Sequence, residues 1–297
     1  MYSTKRKKTA KRLSRDSLTK IEKEVLLTTW KTRMQHSGRK LTNLAIRNRN
    51  TAKINYKLHY LLCDPFTFNN AYSKISKNKG AITLGIDKME TTMKFYQNKE
   101  AEIIAQQFKT GNYKWSPTRR TLIPKPGKTT MRPIDTPTQK DRIAQEAIRG
   151  ILEAIYEPIF SEFENQNNFI CTNYGFRPRK STKHAVEIIK QKAQSTTFAI
   201  EGDIVGAYNN VDHKIMINIL KRKIKDKKFL KVISDLLKSG IMERNTYKHS
   251  LVGTPQGDIV SPILFNIYMF ELDKYVLNNI INPLIRNNIN RKKKTKP

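Results

Sequence analysis

The sequence predicts a mixed α+β fold on three observations. Apolar residues recur at three-to-four spacings over long stretches, as amphipathic helices require, and short extended segments flank Pro- and Gly-rich turns, as hairpins require. These helical and extended stretches interleave along the chain with no internal repeat. At 38% hydrophobic and 9% aromatic, the 297 residues can bury a core in spite of 28% charged residues. The 57 Lys and Arg against 25 Asp and Glu leave a formal net charge of +32. A compact molecule so charged repels itself unless a polyanion neutralises it, which favours a nucleic-acid partner.

The first sixteen residues, MYSTKRKKTAKRLSRD, read as a solvated basic tail, a phosphate-binding arm or an organellar transit peptide. From Asp16 to about Leu62 the pattern is helical, with Leu18, Ile21, Val25, Trp30, Leu41, Leu44, Leu58 and Leu61 on the apolar stripe and mostly Lys, Arg, Asn and Gln elsewhere. Such helices pack on one face and offer a basic face to RNA. Ser76 to Asp87 reads as a loop. Within the Pro- and cation-dense stretch Gly111 to Asp141, extended segments at Arg119–Ile123 and Met131–Ile134 flank PKPGK and predict a hairpin. Asp141–Phe163 reads as a long helix. NYGFRPRKST leads into a helix ending at Ala193, and TFAIEGDI (Thr197 to Ile204) reads as a buried strand. Helices then fill roughly 209–223 and 227–239, followed by a hairpin-like ERNTYKHSLVGTPQGD. A last helix starts near Val260, with Pro262 in its first turn where a missing N–H is harmless. The stretch NPLIRNNINRKKKTKP has no core signal.

Several classes are excluded. No apolar run approaches the roughly 20 residues needed to cross a bilayer. Cys63 and Cys171 lie far apart without C-x-x-C partners, so neither a disulfide framework nor a zinc knuckle can be built. His36, His59, His184, His213 and His249 show no paired metal-ligand spacing, which leaves buried, capping or exposed roles for each.

Asp203 ends the apolar strand and precedes a tight IVGAY turn, so its carboxylate emerges at a sheet rim. Spacing alone leaves it as a Mg²⁺ ligand or a capping residue. GTPQGDIVSP places Gln256 in a glycine-flanked turn, which could hold a nucleotide or be only a turn. Lys125 and Arg132 bracket the hairpin tip, where cations can clamp a triphosphate. Arg119 and Arg120 at its base, and Arg177, Arg179 and Lys180 after NYGF, are candidate nucleic-acid contacts. The neighbouring Tyr174 can stack on bases, and Phe176 reads rather as a core anchor.

Four blocks in order, GNYKWSPTRRTLIPKPGKTTMRPIDTPTQKDRIAQEAIRGILEAIYEPIF, NYGFRPRKSTKHAV, AIEGDIVGAYNNVDHKIM and GTPQGDIVSPILFNIYM, closely resemble the reverse transcriptases encoded by group II introns. The resemblance runs from about Asn78 to about Asp273. It implies a right-hand polymerase layout: a basic helical extension over 1–75, fingers over 76–195, part of a palm over 196–281 and a basic tail over 282–297. It further implies that Asp203 is the first metal-binding aspartate, with the carbonyl of Ile204 as a further ligand. By the same resemblance Tyr208 crowds the ribose 2′ position, Gln256 contacts the nucleotide, and Lys125 and Arg132 hold its triphosphate. The implied reaction is attack of a primer 3′-OH on the α-phosphate of a dNTP, with two Mg²⁺ held roughly 3.5–4 Å apart.

Family members also carry, beyond the PQG helix, a Y-x-D-D block whose adjacent aspartates complete the metal site. This chain contains no Asp-Asp pair. One carboxylate does not hold two Mg²⁺, so the 297 residues alone are expected not to polymerise. The resemblance therefore supports the N-terminal portion of a reverse transcriptase and maturase that works on group II intron RNA, an RNA template and a DNA primer, with a complementing C-terminal polypeptide as a further partner. A non-catalytic RNA-binding splicing factor is the alternative. Abundant Lys, Asn and Ile resemble proteins of A+T-rich organellar genomes, mitochondrial or plastid, with the bacterial cytoplasm as the other setting.

Overall fold

A computed structural model describes residues 20–88, 99–124, 127, 129–166, 173–192, 194, 197–255 and 257–286. In chain order the elements are α1 (Lys20–Asn48), α2 (His59–Leu62), α3 (Pro65–Ile75), α4 (Glu100–Thr110), β1 (Thr118–Pro124), β2 (Met131–Thr136) and α5 (Gln139–Gln166). There follow α6 (Thr182–Lys192), α7 (His213–Lys223), α8 (Lys227–Leu237), β3 (Ile241–Glu243), β4 (Thr246–Lys248) and α9 (Ser261–Val276). The α+β class is as the sequence predicts, and so are the PKPGK hairpin, the long helix after it and the Pro262 start of the last helix.

The spine is α5. Ile143, Ala144, Ile148, Ile151, Leu152 and Ile155 fall at helical spacing and are fully buried or nearly so. Helices α1, α3 and α9 pack around it. One apolar cluster runs from Leu44 on α1 through Phe108 on α4 and Phe229 on α8 to Phe270 on α9. The basic N-terminal helices are tied into this body by polar seams as well. Asn48 and Asn55 exchange amide hydrogen bonds of 3.2 and 2.9 Å, and the Asn55 N–H donates to the Lys223 carbonyl at 2.9 Å. The Asp226 carboxylate accepts from the N–H groups of Leu58 and His59, and also caps α8 through Phe229 N–H.

The sheet runs in the order β2-β1-β3-β4. β1 and β2 pair antiparallel from Arg119↔Thr136 to Pro124↔Met131, and β3 and β4 pair antiparallel through Arg244 and Asn245. Both of those turn residues have positive φ (48° and 64°), which a tight two-residue hairpin needs to match the strand twist. A short parallel contact, Thr118↔Ile241, joins the two hairpins.

Two sequence expectations are corrected. Thr197–Ile204 forms no strand: the segment is irregular, and Phe198 and Ile200 are 87% and 102% exposed. Its composition is that of a buried strand, but a strand exists only through hydrogen-bonded neighbours, and no strand among the described residues lies beside it. The adjacent α6 is left in the same condition, with Val186 and Ile189 of its apolar face more than half exposed.

Phe176 is not a core anchor; it is 75% exposed on a left-handed backbone (φ 54°). It is Arg177 that turns inward. Its guanidinium is paired with Glu157 at 2.9 Å and with Glu164, and lies 5.3 Å from the centre of the Phe160 ring. Arg177 thus pins the 173–180 turn to α5, while the Asn266 side chain pins it to α9 through the Gly175 carbonyl at 2.9 Å. Arg177→Ala would take the counter-charge from Glu157 and leave Glu164 only Lys180 at 3.7 Å, and is expected to cost roughly 3 kcal/mol in urea unfolding.

Candidate active site

Asp203 sits in the exposed segment just before a reversal at Gly206, whose φ of 61° allows the turn. The Asn210 amide closes the turn by donating to the Val205 carbonyl at 2.9 Å. The chain then enters a short helical turn, Ala207–Asn210, which carries Tyr208. The Tyr208 ring rests 4.8 Å from that of Phe265 on α9, and burial pushes its phenol pKa up. Asp212 accepts from Ile215 N–H at 2.8 Å and so starts α7.

A second loop, nearly fifty residues later, is laced onto this turn by backbone contacts. Gly253 N–H donates to the Val211 carbonyl and Thr254 N–H to the Tyr208 carbonyl, both at 2.8 Å. His213 Nε2 lies 2.6 Å from the Gly253 carbonyl. A Cβ on Gly253 would stand 2.7 Å from the Asn209 carbonyl oxygen, so only glycine permits this approach. On its far side the loop abuts β2, where a Cβ on Gly257 would lie 2.2 Å from the Asp135 carbonyl oxygen. Gln145 of α5 accepts from Ile259 N–H at 2.8 Å, and the Ser261 hydroxyl donates to the Pro255 carbonyl at 3.0 Å. The loop between Gly253 and Ser261 is therefore held from the Tyr208 turn, from β2 and from α5.

Residues 123–290, more than half of the chain, match the family "Reverse transcriptase (RNA-dependent DNA polymerase)". The chain belongs to the reverse transcriptase family. The group II intron-encoded protein LtrA of Lactococcus lactis subsp. cremoris is 39% identical over 221 residues, covering 74% of this chain and 35% of LtrA. An uncharacterized 91 kDa protein in the cob intron of Schizosaccharomyces pombe is 36% identical over 246 residues, 80% of this chain and 28% of that protein. The putative COX1/OXI3 intron 2 protein of Saccharomyces cerevisiae is 32% identical over 256 residues, 85% of this chain and 28% of that one. This reverse transcriptase chain groups with the intron-encoded members of the family, and spans about a third or less of the length of these relatives.

Within this reverse transcriptase chain the structure brings the turn bearing Asp203, Ile204 and Tyr208 together with the loop that contains position 256. Gln256 itself and Lys125 lie outside the described residues. Arg132 is exposed on β2, opposite Ile123. Arg120 does not present its guanidinium to solvent alone; it grips the buried Asp135 with two hydrogen bonds of 2.8 Å. The neighbouring Arg119 has a buried Nε without a partner. Arg179 is exposed, and Lys180 lies 3.7 Å from Glu164 and 5.7 Å from the Tyr174 ring centre. Sequence reasoning missed His213, Gln145, Gly257 and Asp258. The PQG glycine and its polar neighbours were a signal for Gly257 and Asp258; His213 and Gln145 had none.

Asp203 makes no hydrogen bond or ion pair with the described residues, so it caps nothing. The described residues contain no cluster of three His, Cys, Asp or Glu that could hold a metal ion. Reverse transcriptases depend on divalent metal in general, but one exposed carboxylate and a neighbouring carbonyl are too few donors for a two-metal site.

Asp258 behaves differently from Asp203. It is buried beneath the loop with Oδ1 unpartnered. Burial first, then the charges of Asp135 and Asp141, push its pKa up to about 8 against Gln145, which lowers it. A carboxyl raised from 3.8 to about 8 on folding keeps a proton that the unfolded chain has lost. Its contribution to stability is full below pH 3.8 and declines as the pH rises toward 8. Asp258→Asn is expected to remove that decline, so the variant gains on the parent between about pH 5 and 8 in urea titrations.

Proposed function

We propose that this chain supplies the nucleotide- and template-handling part of an RNA-directed DNA polymerase encoded by a group II intron. In this reading Asp203 is the chain's own contribution to the metal centre. The observation that carries it is the uncovered segment around Asp203, laced through Tyr208 to the loop that holds position 256, inside a chain matched to reverse transcriptases over residues 123–290. In this reading the strands that the segment lacks among the described residues are supplied by a stretch bearing an Asp-Asp pair, on the same polypeptide or on a complementing one. Mg²⁺ binding then falls to Asp203 and the Ile204 carbonyl together with those added carboxylates. Tyr208, Gln256, Lys125 and Arg132 hold the dNTP; Arg119, Arg179 and Lys180 contact the nucleic acid, and the intron RNA, an RNA template and a DNA primer are the partners. Arg177, paired inward with Glu157 and Glu164, and Arg120, gripping Asp135, serve the scaffold of the site in this reading. The relatives in fungal introns and in Lactococcus favour an organellar or bacterial setting.

RNA-templated primer extension tests this reading. The 297-residue chain alone is expected to make no DNA, and to do so once a polypeptide carrying the Y-x-D-D hairpin is supplied or fused. A second reading, an RNA-binding splicing factor without catalysis, is favoured by the charge of +32. It stands instead if complementation yields no synthesis while intron RNA still binds tightly with a steep salt dependence.

A further inference from the structure

A groove of about 540 Å³ opens between α7, the end of α8 and the loop at His249–Leu251, sharing only Asp212 and His213 with the site described above. Lys214, Asn218 and Lys221 line it from one stripe of α7, at i, i+4 and i+7, and Lys238 lines it from the end of α8. All three lysines are exposed, and none has an ion-pair partner among the described residues. On the same two helices Arg222 pairs with Glu271 at 2.7 Å and Lys231 with Asp235 at 2.7 Å, whereas Lys223, Lys227 and Lys228 share the unpaired state of the groove lysines but do not line the groove. The one carboxylate in the groove wall, Asp212, is engaged by the N–H of Ile215. Ile217 and the 82% exposed Leu251 add an apolar strip beside the lysines.

We propose that this groove binds the phosphodiester backbone of a single RNA strand, Lys214, Lys221 and Lys238 facing successive phosphates and Leu251 and Ile217 facing sugars or bases. Lys214 and Lys221 lie about 10 Å apart along the helix axis, at 1.5 Å per residue, so the pair spans more than one phosphate. A chain of net charge +32 that belongs to an RNA-templated polymerase family makes nucleic acid, rather than an acidic protein, the fitting polyanion. The groove shares His213 with the strut to Gly253, so a strand lying in it rests one side chain away from the loop that carries Gln256. Such a site adds grip on RNA outside the reacting centre and does not require that centre to be complete.

The test is fluorescence anisotropy of the full chain with a labelled single-stranded RNA across about 50–200 mM salt. The triple variant Lys214→Gln, Lys221→Gln, Lys238→Gln is compared with a control of equal charge loss, Lys74→Gln, Lys183→Gln, Lys231→Gln, whose lysines all have acidic partners. All six side chains are exposed, so folding is not at stake. The groove triple is expected to lose roughly tenfold in affinity and to flatten the log–log salt slope by about two, taking ~0.7 per phosphate contact on a single strand. The control should stay within about twofold of the parent. Equal losses in the two triples, or displacement of the RNA by a polyglutamate peptide at equal charge concentration, would overturn the proposal. Because binding is read without catalysis, that failure is distinct from a failure to polymerise.

Discussion

Asp203→Ala is expected to abolish DNA synthesis by the chain completed with a Y-x-D-D segment, by at least about 10³-fold, while leaving its RNA affinity and its urea midpoint unchanged. A 10³-fold loss corresponds to about 4 kcal/mol of transition-state stabilisation. The size of the effect follows from the surroundings. Asp203 is exposed and caps nothing, so its removal costs no packing and orphans no donor. No other carboxylate among the described residues belongs to a cluster that could substitute for it as a metal ligand. Glu201, two positions earlier in the same exposed segment, is the natural control. Glu201→Gln should retain synthesis. Equal activity of the Asp203→Ala protein would remove Asp203 from the site altogether.

Gly257→Ala is expected to be the most damaging single methyl in the molecule, costing roughly 3 kcal/mol or more of stability and the nucleotide affinity with it. Two penalties coincide there. The backbone φ of 129° is one that L residues rarely adopt, and the added Cβ would lie 2.2 Å from the Asp135 carbonyl oxygen. Asp135 cannot step aside. It is 1% exposed, fixed in the β1–β2 register opposite Arg120, and held by two hydrogen bonds from that arginine. The loop must therefore move, and with it position 256. Urea unfolding and dNTP binding read the two consequences; a variant within 1 kcal/mol of the parent would show that the loop is not clamped against β2.

What the sequence made legible was whatever depends on local pattern. Ile143 to Ile155 announced α5 by period, PKPGK announced its hairpin by turn chemistry, and Pro262 announced the start of α9. The order of the four blocks carried the family. What stayed hidden depends on partners remote in sequence. TFAIEGDI has the composition of a buried strand, and nothing within those eight residues tells whether neighbours are present to pair with it. Arg177 and Phe176 are adjacent in a basic, aromatic turn, and only the placement of Glu157 and Glu164 on α5 makes the arginine the buried one and the phenylalanine the exposed one. His213 followed no recognisable ligand spacing because its role is to reach one carbonyl forty residues away.

The central proposal, that the segment around Asp203 becomes a palm strand when a Y-x-D-D hairpin is added beside it, is tested most directly by amide hydrogen exchange at residues 198–205. In the chain alone these amides should exchange at rates near those of an unstructured peptide. Added Y-x-D-D hairpin polypeptide should protect them strongly, along with Val186 and Ile189 on α6. Amides already protected in the chain alone, or unprotected at saturating hairpin, would contradict it.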